Sequence, residues 1–195
     1  MAHHIYTSDA FVLESQPSGE ADRFFTLFTR ELGLIRANAK GVRLQKSKLR
    51  YSLQDYSRSS ISFVRGKELW RVTSARIEDN LYHKHEGDIP TLHLIVNVLS
   101  LIKRLVVGEQ KDEVLYLILV DAFAFLETQQ SNEELTLCEI IIVLRILDRL
   151  GYLSMRPEFQ MFLREPWSAS LVAAMAPYKA LALKEINSSL KATQL

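Results

Sequence analysis

Six basic side chains, Arg36, Lys40, Arg43, Lys46, Lys48 and Arg50, fall between positions 36 and 50 with no Asp or Glu among them. Fixed positive charges at this density repel one another, and a polyanion laid against them relieves the repulsion. Nucleic acid is the commonest such partner. The plain alternative for any charge run is a solvated basic loop. The 195-residue chain carries a net charge of only +1, so the cluster is a local feature and not a drift in composition. Tyr51, Tyr56 and Trp70 lie close by in sequence. A ring exposed on a strand surface can stack a base, worth about 1–3 kcal/mol per base whatever the sequence. Trp70 shares a strand face with Val72, and large aromatics are mostly buried, so Trp70 is expected in the core. The candidate contact set is therefore the six cations together with Tyr51.

Other chemistries find little support. No Gly-rich phosphate loop, nucleophile elbow or HExxH is present. His83, His85 and His93, with Glu86 and Asp88, lack a further ligand at metal-site spacing, so no metal and no cofactor are expected. Asp121 lies in an apolar helical segment, where a hydrogen bond or local exposure accounts for it better than catalysis. No catalytic set is indicated, and a non-enzymatic protein is expected. The single cysteine, Cys138, can form neither an internal disulfide nor a Cys-based zinc site, which fits a reducing compartment. The N-terminal residues do not read as a signal peptide, and no apolar run reaches about 18 residues. A cytoplasmic location, with no membrane contact, is expected.

The elements that must carry the basic set are strands. Residues 1–80 hold 13 Lys+Arg against 9 Asp+Glu, a net of +4, whereas residues 81–195 hold 11 against 14, a net of −3. Texture changes at the same place, so a domain of residues 1–80 and a second of 81–195 are expected, joined by a polar link around His83–Asp88. Runs at Ala10–Leu13, Phe24–Phe28, Ile35–Lys40, Ile61–Val64 and Trp70–Ile77 read as five short strands, with turns at Ser15–Gly19, Glu31–Gly33 and Arg65–Lys67. In the third, Ile35, Ala37 and Ala39 alternate with Arg36, Asn38 and Lys40. A period of two places the basic positions on one face and the apolar ones on the other. Gly41 ends or bends that strand. Five short strands in so short a segment imply a small barrel. Segments 91–107, 111–128, 134–150 and 168–192 have helical periodicity, the first three with narrow polar stripes. The stripe on the third is Glu134, Cys138, Arg145 and Arg149.

The pattern Tyr6–Leu13, Asp22, Leu27-Phe-Thr29, Gly33-Leu-Ile35, Ala39-Lys-Gly-Val-Arg43, Ser47 and Leu49 resembles the start of the bacterial recombination mediator family RecO. The segment AKGVRLQKSKL is its most distinctive part. The resemblance covers residues 5–80 well and the helices more loosely. It implies an α+β chain: a five-stranded OB-fold barrel followed by an all-α helical domain. It also implies a DNA repair and recombination role. Such proteins bind single- and double-stranded DNA, anneal complementary strands and help load RecA onto strands coated by single-strand binding protein. They act with RecR and contact the acidic tail of the single-strand binding protein. On that basis Lys103, Arg104, Arg145 and Arg149 are candidates for the tail's carboxylates. Helix-dipole capping explains cations in last helical turns equally well. An RNA-binding barrel, or an enzyme with its site among the helices, remains an alternative from the residues alone. Many members of the family carry a four-cysteine zinc module after the helices. Residues 154–170 here have no cysteine and read as a short linker with Pro157 and Pro166.

Overall fold

The structure, a computed structural model, describes residues 4–128, 131–154 and 156–193. The chain divides into two compact units. One comprises residues up to Leu92 together with Leu99–Glu113, and the other His93–Val98 together with residues from Val114 onward.

The first unit is a closed barrel of strands β1 (Ile5–Ser18), β2 (Asp22–Thr29), β3 (Gly33–Ala39), β4 (Ser57–Arg65) and β5 (Trp70–Asn80), in the order β1-β2-β3-β5-β4. This is the OB-fold arrangement the sequence pattern implied. β1 makes closure possible. Its first half pairs with β4 from Ile5 to Phe11, its second half pairs with β2 from Ala10 to Ser18, and a register shift between Val12 and Glu14 marks the change. A bulge of this kind bends a strand and raises its twist, which lets one strand serve both sides of a barrel. β3 and β5 close the other side with a short parallel pairing, Ala37 to Trp70 and Asn38 to Arg71.

Alternation determines which residues fill the barrel. Ala10, Val12, Phe25, Leu27, Ile35, Ala37, Ala39, Ile61, Phe63, Trp70 and Val72 form one buried cluster with Val42 and Leu53. Small alanines opposite large rings suit the taper of a small barrel. Trp70 is a core residue, 5% exposed, edge-on to Phe63 and Tyr6.

Two expected loops are more ordered than their sequence implied. Ser15–Ser18, expected as a turn, continues β1, because Ser15, Gln16, Pro17 and Ser18 pair with Phe25, Phe24, Arg23 and Asp22. The segment after β5 forms a helical turn, α2 (Leu81–Lys84), capped by the Asn80 side chain. A further helical turn, α1 (Leu49–Ser52), lies between β3 and β4.

The helices are α3 (Ile89–Leu105), α4 (Glu113–Leu126), α5 (Asn132–Arg149), α6 (Gln160–Arg164), α7 (Ala169–Met175) and α8 (Lys179–Ala192). Asp88 caps α3, accepting from the Thr91 amide at 3.2 Å. Ser131 and Glu134 form a reciprocal capping box that starts α5. In the second unit α5 is the hub, packing against α6, α7 and α8. Its expected polar stripe is exposed only at its ends: Glu134 and Arg149 are exposed, Cys138 is inaccessible and Arg145 is part-buried. Within the expected linker 154–170, of which residue 155 lies outside the described residues, residues 156–170 are more than a linker. Phe159 and Phe162, both 0% exposed, anchor the short helical segments there.

Candidate nucleic-acid interface

The basic face is built on the β2–β3 hairpin. In β3, Ile35, Ala37 and Ala39 point into the barrel, so Arg36, Asn38 and Lys40 point outward, and Arg36 and Lys40 are exposed. Thr29 tightens the hairpin: its Oγ1 donates to the Gly33 carbonyl at 2.8 Å and accepts from the Leu32 amide at 2.9 Å.

The remaining cations of the set lie on the segment from Lys40 to α1, which is held in place by the β1–β2 turn. Gly41 has a φ of +65°, a left-handed conformation that glycine adopts without strain. Its amide donates to Asp22 Oδ1 at 2.8 Å. The Arg43 amide donates to the Ala21 carbonyl at 2.9 Å, and Arg43 Nη1 to the Gly19 carbonyl at 3.0 Å. Val42 plugs into the core and fixes the segment from beneath. Arg43, Lys46, Lys48, Arg50 and Tyr51 are all exposed, Tyr51 at 67%.

Ion pairing separates these cations from six others on the same unit. Arg30 binds Glu113, Arg65 binds Glu109, Arg76 binds Glu78, Lys84 binds Asp79, Lys103 binds Glu14 and Lys111 binds Glu31 and Glu113. Among the described residues, Arg36, Lys40, Arg43, Lys46, Lys48 and Arg50 have no ion pair. Their charge is left for a ligand.

Strand pairing adds residues that the linear sequence did not single out. Phe24 stands opposite Gln16 on β1 and Asn38 on β3, and alternation with Phe25 turns its half-buried ring outward. Its diagonal neighbours across the pair are Arg36 and Lys40, within reach of long side chains. The exposed Arg71 lies beside Asn38 through the β3–β5 pairing. A ring flanked by cations can stack a base while the cations hold the phosphates on either side. Arg23, on β2, joins Val42, Arg43, Arg50 and Leu53 around a cleft of about 350 Å³. Neither Phe24 nor Arg23 falls within the acid-free run, so only the register brings them to it.

The other four candidates divide between the two units. Lys103 and Arg104 belong to the barrel unit, and Arg145 and Arg149 to the helical unit. Lys103 Nζ holds Glu14 Oε2 at 2.6 Å, and this bond keeps the Glu14 carboxyl below its ordinary pKa. Arg104 and Arg149 are exposed in the last turns of α3 and α5. Arg145 Nε donates to the Phe162 carbonyl at 2.7 Å and Nη2 to the Glu165 carbonyl at 2.5 Å. Its guanidinium lies 4.6 Å over the Trp167 ring, which stacks in turn on Phe125. Among the described residues no three His, Cys, Asp or Glu side chains gather as metal ligands, and no helix is long and apolar enough to cross a membrane. Asp121 is exposed.

Closed topology, an unpaired basic surface and an outward ring define the class: an OB-fold barrel with an electropositive β2–β3 face. Residues 1–81 match the family described as Recombination protein O N terminal. Several proteins named DNA repair protein RecO are similar in sequence. The one from Heliobacterium modesticaldum is 35% identical over 148 residues, 76% of this chain and 52% of the relative. That from Pelotomaculum thermopropionicum is 30% identical over 122 residues, 63% of this chain and 47% of the relative. That from Desulfitobacterium hafniense is 39% identical over 79 residues, 40% of this chain and 29% of the relative. The N-terminal domain of the chain, residues 1–81, belongs to the RecO family. It spans about half or less of the length of these relatives.

Proposed function

We propose that this protein is a non-enzymatic mediator of DNA repair and homologous recombination, and that Arg36, Lys40, Arg43, Lys46, Lys48, Arg50 and Tyr51 form its main DNA contact surface. The observation that carries the reading is the sorting of cations on the barrel. Six cations elsewhere on the barrel unit, Arg30, Arg65, Arg76, Lys84, Lys103 and Lys111, are taken up by carboxylates, while this acid-free set has no ion pair among the described residues and lies around an outward aromatic ring. Phosphate contacts supply most of the affinity for such a face and no sequence preference, which suits a protein that handles any strand. Both single and double strands meet the electrostatic requirement, and Phe24 and Tyr51 favour the unstacked bases of a single strand.

The mediator role places two DNA strands on one protein for annealing and assists loading of RecA onto strands coated by single-strand binding protein. It includes RecR as a partner, at the nucleoid in the cytoplasm. Contact with the acidic tail of single-strand binding protein falls to Lys103, Arg104, Arg145 and Arg149. Of these, Lys103 and Arg145 already have acceptors, so a tail carboxylate must compete with Glu14 and with two main-chain carbonyls. In this reading residues 1–80 serve DNA binding, and residues 81–195, of which Leu99–Glu113 belongs to the barrel unit, serve protein contacts.

Fluorescence anisotropy with a labelled single strand across a salt series tests the reading. Each phosphate neutralised contributes roughly 0.7 to the slope of log affinity against log salt for single strands. Arg36→Ala/Lys40→Ala is expected to flatten the slope by about 1.4 for every sequence tried. Annealing of complementary strands, with and without single-strand binding protein, should fall in parallel. A folded double variant with unchanged slope and annealing removes the β3 face from DNA binding.

A further inference from the structure

The cleft lined by Arg23, Arg43, Arg50, Val42 and Leu53 differs from the open face beside it. Three arginines line it and no carboxylate does. Val42 and Leu53, each 3% exposed, belong to the barrel core and make a rigid apolar floor. Two of the arginines are held by backbone structure. Arg43 is tied to the Gly19 and Ala21 carbonyls, and Arg50 sits on α1, whose last turn closes with the Leu53 amide donating to the Leu49 carbonyl at 3.0 Å. Arg23 comes from β2, opposite Pro17 on one side and Ala39 on the other. It shares the inward parity of Phe25 and Leu27, which brings it to the end of the barrel.

Arg23 supplies the second observation. Its Nε is buried and has no hydrogen-bond partner. A buried guanidinium N–H with no acceptor carries an uncompensated desolvation cost, which an anion in the cleft would remove. The guanidinium fork matches phosphate oxygens two at a time, a geometry that lysine does not offer. A volume of about 350 Å³ is roughly ten times that of one water, enough for a phosphate and its attached sugar.

We propose that Arg23, Arg43 and Arg50 form a phosphate seat at the Val42–Leu53 end of the barrel, which anchors one phosphate of a nucleic-acid strand lying on the β2–β3 face. The proposal rests on the DNA-binding reading above and assigns a role to Arg23, a residue outside the basic run. The phosphate is either an internal diester or a terminal monoester, and both present the same oxygens to the seat.

The test uses the full chain with 5′-phosphorylated and 5′-hydroxyl oligonucleotides of one sequence, measured across a salt series. Arg23→Gln is expected to lose about 0.7 of the salt slope and at least about tenfold in affinity at low salt. Arg50→Ala, an exposed substitution that leaves the barrel core intact, should lose the same slope and keep the wild-type melting temperature. A 5′-phosphate preference in the wild type that disappears in both variants assigns the seat to a terminal monoester. Equal affinity for the two oligonucleotides, with the slope loss, assigns it to an internal diester. Wild-type slopes in both Arg23→Gln and Arg50→Ala, while Arg36→Ala/Lys40→Ala loses slope, overturn the seat and leave the DNA face standing. If no form binds DNA, inorganic phosphate decides the matter. A saturable shift of the Arg23 Nε–H resonance that is lost in Arg50→Ala keeps the seat, and no shift removes it.

Discussion

Arg145 offers the sharpest test of how the helical unit is held together. It projects from α5 and clasps the segment that follows the helix, donating to the carbonyls of Phe162 and Glu165 and covering the Trp167 ring. A hydrogen bond from a charged donor contributes about 1.5–3 kcal/mol, and the Glu165 bond is solvent-exposed and belongs at the low end. The stacked cation adds about 0.5–2 kcal/mol. Replacement by alanine also strands the Phe162 carbonyl. The expected loss for Arg145→Ala is about 3–5 kcal/mol, a large share of the roughly 5–15 kcal/mol that holds a typical domain. Urea unfolding followed by tryptophan fluorescence reads it directly. With a slope of about 2–3 kcal/mol per molar, the midpoint should fall by about 1–2 M at unchanged slope. Arg145→Lys retains the charge but only one donor position at a time, and should recover about half of the shift. A midpoint for Arg145→Ala within about 0.2 M of wild type would refute the clasp. Only then would loss of peptide binding in an Arg145 variant report on a ligand contact and not on damaged packing.

Three further outcomes follow from the same geometry. Gly41→Val forces a β-branched residue to φ near +65° with its Cβ 3.3 Å from Leu44 Cδ1, so a loss of about 1–3 kcal/mol in thermal stability should accompany weaker DNA binding; wild-type values of both would show that the position tolerates a side chain. Burial pushes the Cys138 thiol up to about 12, so a thiol reagent at pH 8 should modify the native protein far more slowly than the urea-unfolded chain, and equal rates would contradict the packing of α5. Hydrogen bonds from Arg30 and then Lys111 hold the Glu113 carboxyl below its ordinary value of 4.5, so their contribution is complete above that pH and fades as the pH falls through the lower folded value. The melting temperature of Glu113→Gln should therefore lie below wild type at pH 7 in low salt and converge with it in acid, whereas a constant gap down to pH 2 would exclude the linkage.

Much of the barrel was legible in the chain because its signals are local. The alternation of Ile35, Ala37 and Ala39 with Arg36, Asn38 and Lys40 is a property of seven consecutive residues, and it predicted which face is basic. The five strands, the glycine after β3 and the buried Trp70 beside Val72 follow from the same short-range rules, and the helical segments follow from their periodicity. Turn residues misled where pairing overrode them. Ser15-Gln-Pro-Ser has the composition of a loop, yet it forms a strand because β2 lies opposite with hydrogen-bonding groups to satisfy. Prolines at 157 and 166 likewise suggested a linker, whereas the cavity beside α5 is filled by Phe159 and Phe162.

What only the tertiary structure decided is which charges are available and which distant residues join them. The chain alone shows cations at Arg30, Lys103 and Lys111 no different in kind from Arg36 or Lys40. Folding places carboxylates from remote positions, Glu113, Glu14 and Glu31, in ion pairs with the first three, while Arg36 and Lys40 form no ion pair among the described residues. Arg23 and Phe24 come to the basic surface through the β2–β3 register, and Arg145 is taken up by carbonyls 17 and 20 residues away. Local sequence determines backbone state and facing because those depend on neighbours within a few residues. Pairing of charges depends on chain closure over long separations, and no local pattern encodes it.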